Sequence, residues 1–256
     1  MAGQWHWQGE THLTCDLLAG WRHQFGGRLG GLEFPEVKNY RLRQIHSGLV
    51  LSTTDVQLES TGDGLISTQP HQALWVCSAD CVPVLIGCLH TGMVAALHAG
   101  WRGTAAKIIP TAVQKLLHQG SELSSLRIAL GPAISGGNYQ VQNDVVEALA
   151  ATLVCPAQPT IAAVIGQWQK QPQLLRRDGE RWRLDLRQVQ VQQLRQLGIQ
   201  PDQVSVSPRC TYDEPERFYS YRRDGKTQVQ WSGIVSRSGL LVPELLADYA
   251  GRSKKL

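Results

Sequence analysis

Two short apolar runs, Val82 to Leu89 and Met93 to Leu97, flank the polar turn His90-Thr91-Gly92. Only Pro83 and Gly87 interrupt the first run. Runs of this length around a Gly-containing turn predict a buried β-hairpin. A hairpin turning between His90 and Thr91 is expected to set Cys81 and His98 nearly opposite each other, one residue outside each run. Directly opposed Cβ atoms lie about 4.5–5.5 Å apart. Zinc sits about 2.3 Å from sulfur and about 2.0 Å from imidazole nitrogen, so one ion could bridge that pair. The expectation is an open zinc site with two of its ligands on one hairpin.

A third ligand comes from upstream. Tyr40-Arg41-Leu42-Arg43-Gln44-Ile45-His46 alternates with period two and predicts a strand ending at His46. Ser47-Gly48 then leads into a second strand at Leu49-Val50-Leu51. A histidine at a strand end can project beyond its sheet. His46, Cys81 and His98 together offer two imidazoles and a thiolate, and three protein ligands with an open fourth position is the catalytic zinc pattern. Bound zinc lowers the pKa of a water toward about 7. Asp80, beside Cys81, could orient a ligand histidine or that water. Asp63, in Thr61-Gly62-Asp63-Gly64, reads as a turn residue bonding its own backbone. The chain has no C-x2-C pair and no His-Glu-x-x-His, so spacing leaves two other readings open. Cys81 could be a nucleophile with His98 as its base. Alternatively the cysteine is inert and the protein is a non-catalytic binding or regulatory module.

The rest of the chain predicts an α+β fold with mixed, largely antiparallel sheets flanked by helices, in a single domain over residues 1–256. Residues 1–35 hold Trp5, Trp7, Trp21 and Phe25 and predict a strand or two before a Gly-rich loop. Phe25 reads as core, or as the rim of a ligand pocket. Leu74 to Cys77 is a buried strand, and Cys77 and Cys88 read as small core residues. A helix is expected from Thr104 to about His118, kinked at Pro110, with Gly120 beyond its end. Its N-terminus beside Arg102 would suit an anion, or Arg102 simply pairs with a surface carboxylate. Leu126 to Leu130 is a strand, Asn143 to Leu153 a helix, and Cys155 to Arg177 partly surface. Asp185 opens a helix to Leu197 whose glutamines suggest solvation. Val204 to Ser207 and Val229 to Val235 close the set of strands, with an alternating Phe218 to Arg223 between them.

Charge and targeting signals set limits. A net charge of +4 is small and scattered, which argues against a nucleic-acid partner. The basic Arg252-Ser253-Lys254-Lys255 reads as a solvated tail. The N-terminus has no basic flank followed by an apolar run, and no apolar stretch reaches membrane-spanning length. Six cysteines without an export signal read as thiols of a cytoplasmic protein.

Five motifs in order carry a resemblance. They are Arg43-Gln44-Ile45-His46, Ser78-Ala79-Asp80-Cys81-Val82-Pro83-Val84, His98-Ala99-Gly100-Trp101-Arg102-Gly103, Gly131-Pro132-Ala133-Ile134 with Tyr139, and Phe218-Tyr219-Ser220-Tyr221-Arg222-Arg223. Together, across residues 40 to 235, the chain resembles the multicopper polyphenol oxidase (laccase-domain) family, also described as zinc-dependent purine nucleoside phosphorylases. The resemblance implies a metal held by His46, Cys81 and His98. It implies phosphorolysis of adenosine, inosine, guanosine or methylthioadenosine, with adenosine deamination as a second activity. Phosphate then requires a cationic pocket, for which Arg43, Arg102 and Arg222 are the candidates. Copper-oxidase chemistry needs a His2Cys site plus a trinuclear cluster. The eight histidines show no paired His-x-His, so zinc is favoured over copper. Some relatives edit peptidoglycan precursors, removing an amino acid from a nucleotide-linked muramyl compound, and that hydrolysis is the second enzymatic expectation. After Arg223, the family's Thr-Gly-Arg is replaced here by Thr227-Gln228-Val229.

Overall fold

The structure, a computed structural model, describes residues 3–32 and 34–239. The first half runs through β1 (Trp5–Gln8), β2 (His12–Cys15), β3 (His23–Gly26), β4 (Lys38–Tyr40), β5 (Val50–Ser52), β6 (Gly64–Ile66), β7 (Gln72–Ser78), β8 (Val82–Cys88), β9 (Val94–Ala99), α1 (Trp101–Ala105) and α2 (Ile108–His118). There follow β10 (Leu126–Leu130), β11 (Gln140–Val141), α3 (Asn143–Ala151), α4 (Ile161–Gln169), β12 (Leu175–Asp178), β13 (Arg181–Leu184), α5 (Leu186–Gln196), β14 (Val204–Val206), α6 (Tyr221–Asp224) and β15 (Gln230–Val235).

Two six-stranded sheets form the frame, ordered β1-β2-β3-β15-β7-β4 and β14-β10-β8-β9-β6-β5; a third sheet, β11-β13-β12, is small. Pairing is mostly antiparallel, with parallel pairs at β4–β7, β5–β6 and β10–β14. The α+β expectation therefore holds. Side chains alternate across a strand, and β8 shows what that does here. Leu85 packs with Leu13, Phe25, Leu74 and Val76 of the first sheet. Val84 and Ile86 pack instead with Ile109, Val113, Val146 and Leu194 of the helices. The second sheet is thus covered on both faces, which is why β8 and β9 are buried without a break.

Several expectations are corrected. The strand predicted over Tyr40–His46 ends at Tyr40, and His46 adopts φ 60. Gln44 supplies the missing ladder from its side chain: its amide donates to Cys77 O and accepts from Cys77 N, both at 2.8 Å. The predicted Thr104–His118 helix is two helices, broken at Lys107 (φ 57) and not kinked at Pro110. Pro110 falls in the first turn of α2, where a missing N–H costs nothing. Residues Cys155–Arg177, read as partly surface, are mostly exposed or half-buried, and they also contain α4 and part of β12. The alternating Phe218–Arg223 stretch contains the start of α6. Phe25 is fully buried core, not a pocket rim, and Cys77 is only half-buried. The basic tail Arg252–Lys255 lies outside the described residues.

Candidate metal centre

The chain crosses from the first sheet to the second twice near one place. One crossing runs from β4 to β5 and carries His46; the other runs from β7 to β8 and carries Asp80 and Cys81. Both crossings contain a residue in the left-handed backbone region, His46 at φ 60 and Asp80 at φ 89. That conformation is costly for a residue with a Cβ and persists where the surroundings hold it.

The hairpin is real, but its register differs from the one expected. His98 pairs with Pro83, and Val82 with Ala99. The ladder closes at Cys88, whose N–H donates to Met93 O at 2.9 Å. That register sets Gly100, not His98, opposite Cys81. Cys81 and His98 are diagonal neighbours on one face, a separation of about 7–8 Å between backbones. The absence of a side chain at Gly100 leaves room for the thiol: a Cβ there would lie 2.7 Å from Cys81 Sγ. The three side chains still converge. Ligand atoms of His46, Cys81 and His98 lie within 4.8 Å of one another. The two imidazole rings stand edge to face, with centroids 4.8 Å apart at 82°.

Asp63 organises this cluster. It is fully buried, and its carboxylate accepts five hydrogen bonds. Oδ1 accepts from His98 Nδ1 and from His46 N, both at 2.9 Å. Oδ2 accepts from Ser47 N at 2.6 Å, Ser47 Oγ at 2.7 Å and Ile45 N at 3.3 Å. One side chain therefore fixes the backbone of His46 and the ring of His98. A carboxylate only accepts, so the His98 proton sits on Nδ1 and Nε2 is left for the cluster. Burial would push the Asp63 carboxyl up, but the bonds from His98 and Ser47 outweigh it and hold it at about 2. Burial likewise opposes charge on His98, yet Asp63 and Cys81 raise it to about 9, so at neutral pH Nε2 also carries a proton, which a metal bound there would displace. Burial raises the Cys81 thiol, and hydrogen bonds from His46 and His98 bring it down to about 7. The pocket favours a thiolate, the form that binds a metal.

Asp80 does not face the histidines, contrary to expectation. Its carboxylate accepts from Thr211 Oγ1 at 2.6 Å, Ser220 Oγ at 3.0 Å and Arg222 N at 2.7 Å. It anchors the late loops against the β7–β8 crossing. Arg222 then reaches Tyr139: its guanidinium lies 5.3 Å from the ring centre and donates to Gln140 O at 3.1 Å. The Tyr139 phenol, raised mainly by burial, also feels Cys81, Arg222 and Arg102. Of the candidate arginines, Arg222 is the one packed on this tyrosine. Arg102 lies inside α1, stacked 4.5 Å over Trp101, and that helix has only five residues. Arg43 is exposed on the β4–β5 crossing and forms no side-chain hydrogen bond or ion pair among the described residues. Sequence reasoning missed Asp63 as a positioning residue and gave Tyr139 no role.

The donor set suits a transition-metal ion. Tetrahedral ligands at about 2.0–2.3 Å from an ion stand about 3.3–3.8 Å apart, so a shift of about 1 Å shared among three side chains completes the site. A thiolate with two imidazoles is a soft-to-borderline set that serves zinc or copper. The buried carboxylate behind His98 forms the carboxylate–histidine arrangement that orients metal ligands.

The family model described as multi-copper polyphenol oxidoreductase laccase matches residues 28–237, and the chain belongs to this family. It is 42% identical over 258 residues to purine nucleoside phosphorylase slr1573 of Synechocystis sp., covering 91% of this chain and 97% of that protein. It is 35% identical over 174 residues to purine nucleoside phosphorylase YlmD of Bacillus subtilis, covering 67% of this chain and 58% of that one. Among solved structures, YlmD from Geobacillus stearothermophilus superimposes with a TM-score of 0.77 at 25% identity, over 92% of this chain and all (100%) of the other. The Bacillus licheniformis hypothetical protein YfiH shares the fold, with a TM-score of 0.76 at 24% identity over 91% of this chain and 99% of that one. The protein is an enzyme of a phosphorylase-named group. Among the described residues, no helix is long and apolar enough to cross a membrane.

Proposed function

We propose that this protein is a zinc-dependent purine nucleoside phosphorylase, with adenosine deamination as a second activity. The convergence of His46, Cys81 and His98 within 4.8 Å carries the reading. The relatives named purine nucleoside phosphorylase support it. His46, Cys81 and His98 are the proposed metal ligands and catalytic residues. Zinc held there would supply Lewis acidity and a water acidic enough to ionise near neutral pH. The absence of paired His-x-His motifs supports zinc over copper.

The chain's own residues have separate tasks. Asp63 keeps the His98 proton on Nδ1 and locks the backbone at His46. Arg43, Arg102 and Arg222 are the proposed cations for phosphate and substrate. Arg222 is supported by its place over Tyr139, whose phenol burial keeps protonated and able to donate a hydrogen bond. In phosphorolysis the bond from sugar C1′ to the purine nitrogen breaks, a bond from C1′ to a phosphate oxygen forms, and the purine leaves with a proton. In deamination, water replaces the exocyclic amine, which leaves as ammonia.

We read residues 1–256 as one domain, with a small nucleoside and phosphate as partners and neither nucleic acid nor membrane. The six free cysteines support a cytoplasmic setting. The test is product analysis from adenosine, with and without phosphate, on zinc-quantified protein. Adenine appearing only with phosphate is the expected result, with inosine as a minor product. His46→Ala and His98→Ala should each lower turnover at least about a hundredfold while remaining folded. No product from fully zinc-loaded protein would reject phosphorolysis and leave the peptidoglycan-precursor hydrolase. Near-normal turnover in either variant would remove that histidine from the site.

A further inference from the structure

The segment Leu175-Arg176-Arg177-Asp178-Gly179-Glu180-Arg181-Trp182-Arg183-Leu184 takes no part in the metal centre. It folds as the β12–β13 hairpin, and β11 joins it along β13. Directly paired residues of an antiparallel ladder project to the same face. Leu175 pairs with Leu184, and Trp182 with both Arg177 and Val141. Leu175, Leu184, Trp182 and Val141 are buried, so that face is the core side. The guanidinium of Arg177 covers Trp182 at 3.8 Å from the ring centre. The outer face carries the row Gln140, Arg183 and Arg176, followed by Asp178 paired with Arg181. It holds three cations and one anion.

This arrangement is unfavourable for the sheet alone. Arg176 stands directly opposite Arg183, and like charges so placed destabilise a ladder. The lone acid is already engaged: Asp178 accepts from Gln140 Nε2 at 2.7 Å and Arg183 Nε at 2.6 Å. Arg176 feels the Asp178 charge but forms no hydrogen bond or close ion pair among the described residues. The face is continuous with the metal centre through Gln140. The Gln140 side-chain oxygen accepts from Arg181 at 3.1 Å, and its backbone oxygen accepts from Arg222 at 3.1 Å. Arg222 in turn covers Tyr139, and its backbone N–H donates to Asp80, the residue before Cys81, at 2.7 Å. Strands are spaced about 4.8 Å apart, so the cations extend about 10 Å beyond Gln140. That row is long enough to hold a short phosphate chain.

We propose that the outer face of β11-β13-β12 is a subsite for the phosphate-ester end of the substrate, so that a nucleotide is preferred over the bare nucleoside. The proposal rests on the nucleoside reading of the metal centre. Guanidinium groups present paired N–H donors that match phosphate oxygens. Arg176 and Arg181 are its distal cations, and Arg222 links it to the reacting end.

Calorimetric titration of zinc-loaded protein with adenosine, ADP and inorganic pyrophosphate tests this. ADP should bind about tenfold or more tighter than adenosine at low salt, with the gap closing as salt rises. In Arg176→Gln/Arg181→Gln the ADP-to-adenosine ratio should fall to about one. Both side chains are exposed, and the single Arg176→Gln variant, which breaks no hydrogen bond among the described residues, should show part of the same fall. ADP binding no tighter than adenosine, or an unchanged ratio in the double variant, overturns the subsite while adenosine phosphorolysis, assayed separately, stands. Conversely, ADP binding that depends on these arginines, in protein inactive on adenosine, keeps the subsite and removes the nucleoside reading. Pyrophosphate binding as tightly as ADP, or single-stranded RNA binding tighter than ADP, overturns the assignment to substrate.

Discussion

Asp63 decides where two of the three candidate ligands stand. Every one of its five partners is a donor. Asparagine there would turn an NH2 group toward donors on one side or the other. Asp63→Asn is expected to cost about 3 kcal/mol of stability, the usual scale for breaking a buried ionic hydrogen-bond set. It should also weaken metal retention about 10–100-fold. Urea unfolding and metal content after dialysis against a chelator measure the two effects. Full metal retention in a destabilised Asp63→Asn would show that the carboxylate serves the fold alone. The residue was hidden in the sequence because Gly-Asp-Gly spells a turn. The glycines mean close packing instead: a Cβ at Gly64 would lie 2.8 Å from side-chain atoms of Leu97 and Val50. His46, Cys81 and His98 were legible because their residue types and the surrounding motifs restrict the chemistry. Asp63 has no such restriction until the fold brings residue 63 beside residues 46 and 98.

At the scale of elements, the hairpin was readable from its apolar runs, and its register was not. Pairing two positions by their distance from the turn ignores where the ladder closes, here at Cys88 and Met93. Helix α5 shows a similar limit. Its glutamines suggest a solvated helix, but Gln190 and Gln193 are buried with Leu186, Val189 and Leu194. They occupy the inward stripe at helical spacing, which was a usable signal. Gln190 Nε2 donates to Ala99 O at 2.8 Å and Thr104 Oγ1 at 2.9 Å, and Gln193 Nε2 donates to Thr104 O at 3.0 Å. These bonds tie α5 to the junction where β9, ending just after His98, turns into α1. Gln190→Leu leaves two acceptors unpaired and should cost about 2 kcal/mol, read as a lower urea midpoint. Its effect on metal affinity should be smaller than that of Asp63→Asn, because α5 holds Ala99 and not the imidazole. Equal losses of metal in both variants would make the β9–α1 junction the controlling element.

At the scale of the molecule, the candidate ligands sit where the chain passes between the two large sheets. His46 lies between β4 of one sheet and β5 of the other, and Cys81 lies between β7 and β8 in the same sense. His98 belongs to β9 of the second sheet. An ion held by all three would tie both crossings to a central strand, and the unfolded chain would have no such site. A ligand at about a hundred times its dissociation constant stabilises by about 2.7 kcal/mol. For a chain of this size that corresponds to about 5–10 °C in Tm. Chelator treatment of zinc-loaded protein should therefore lower Tm by about 5–10 °C, and added zinc should restore it. His98→Ala should start at the lower Tm and respond to neither treatment. A chelator that removes all the zinc without moving Tm would mean that the ion does not span the crossings. The two strained residues there, His46 and Asp80, would then be held by carboxylate hydrogen bonds and backbone packing alone.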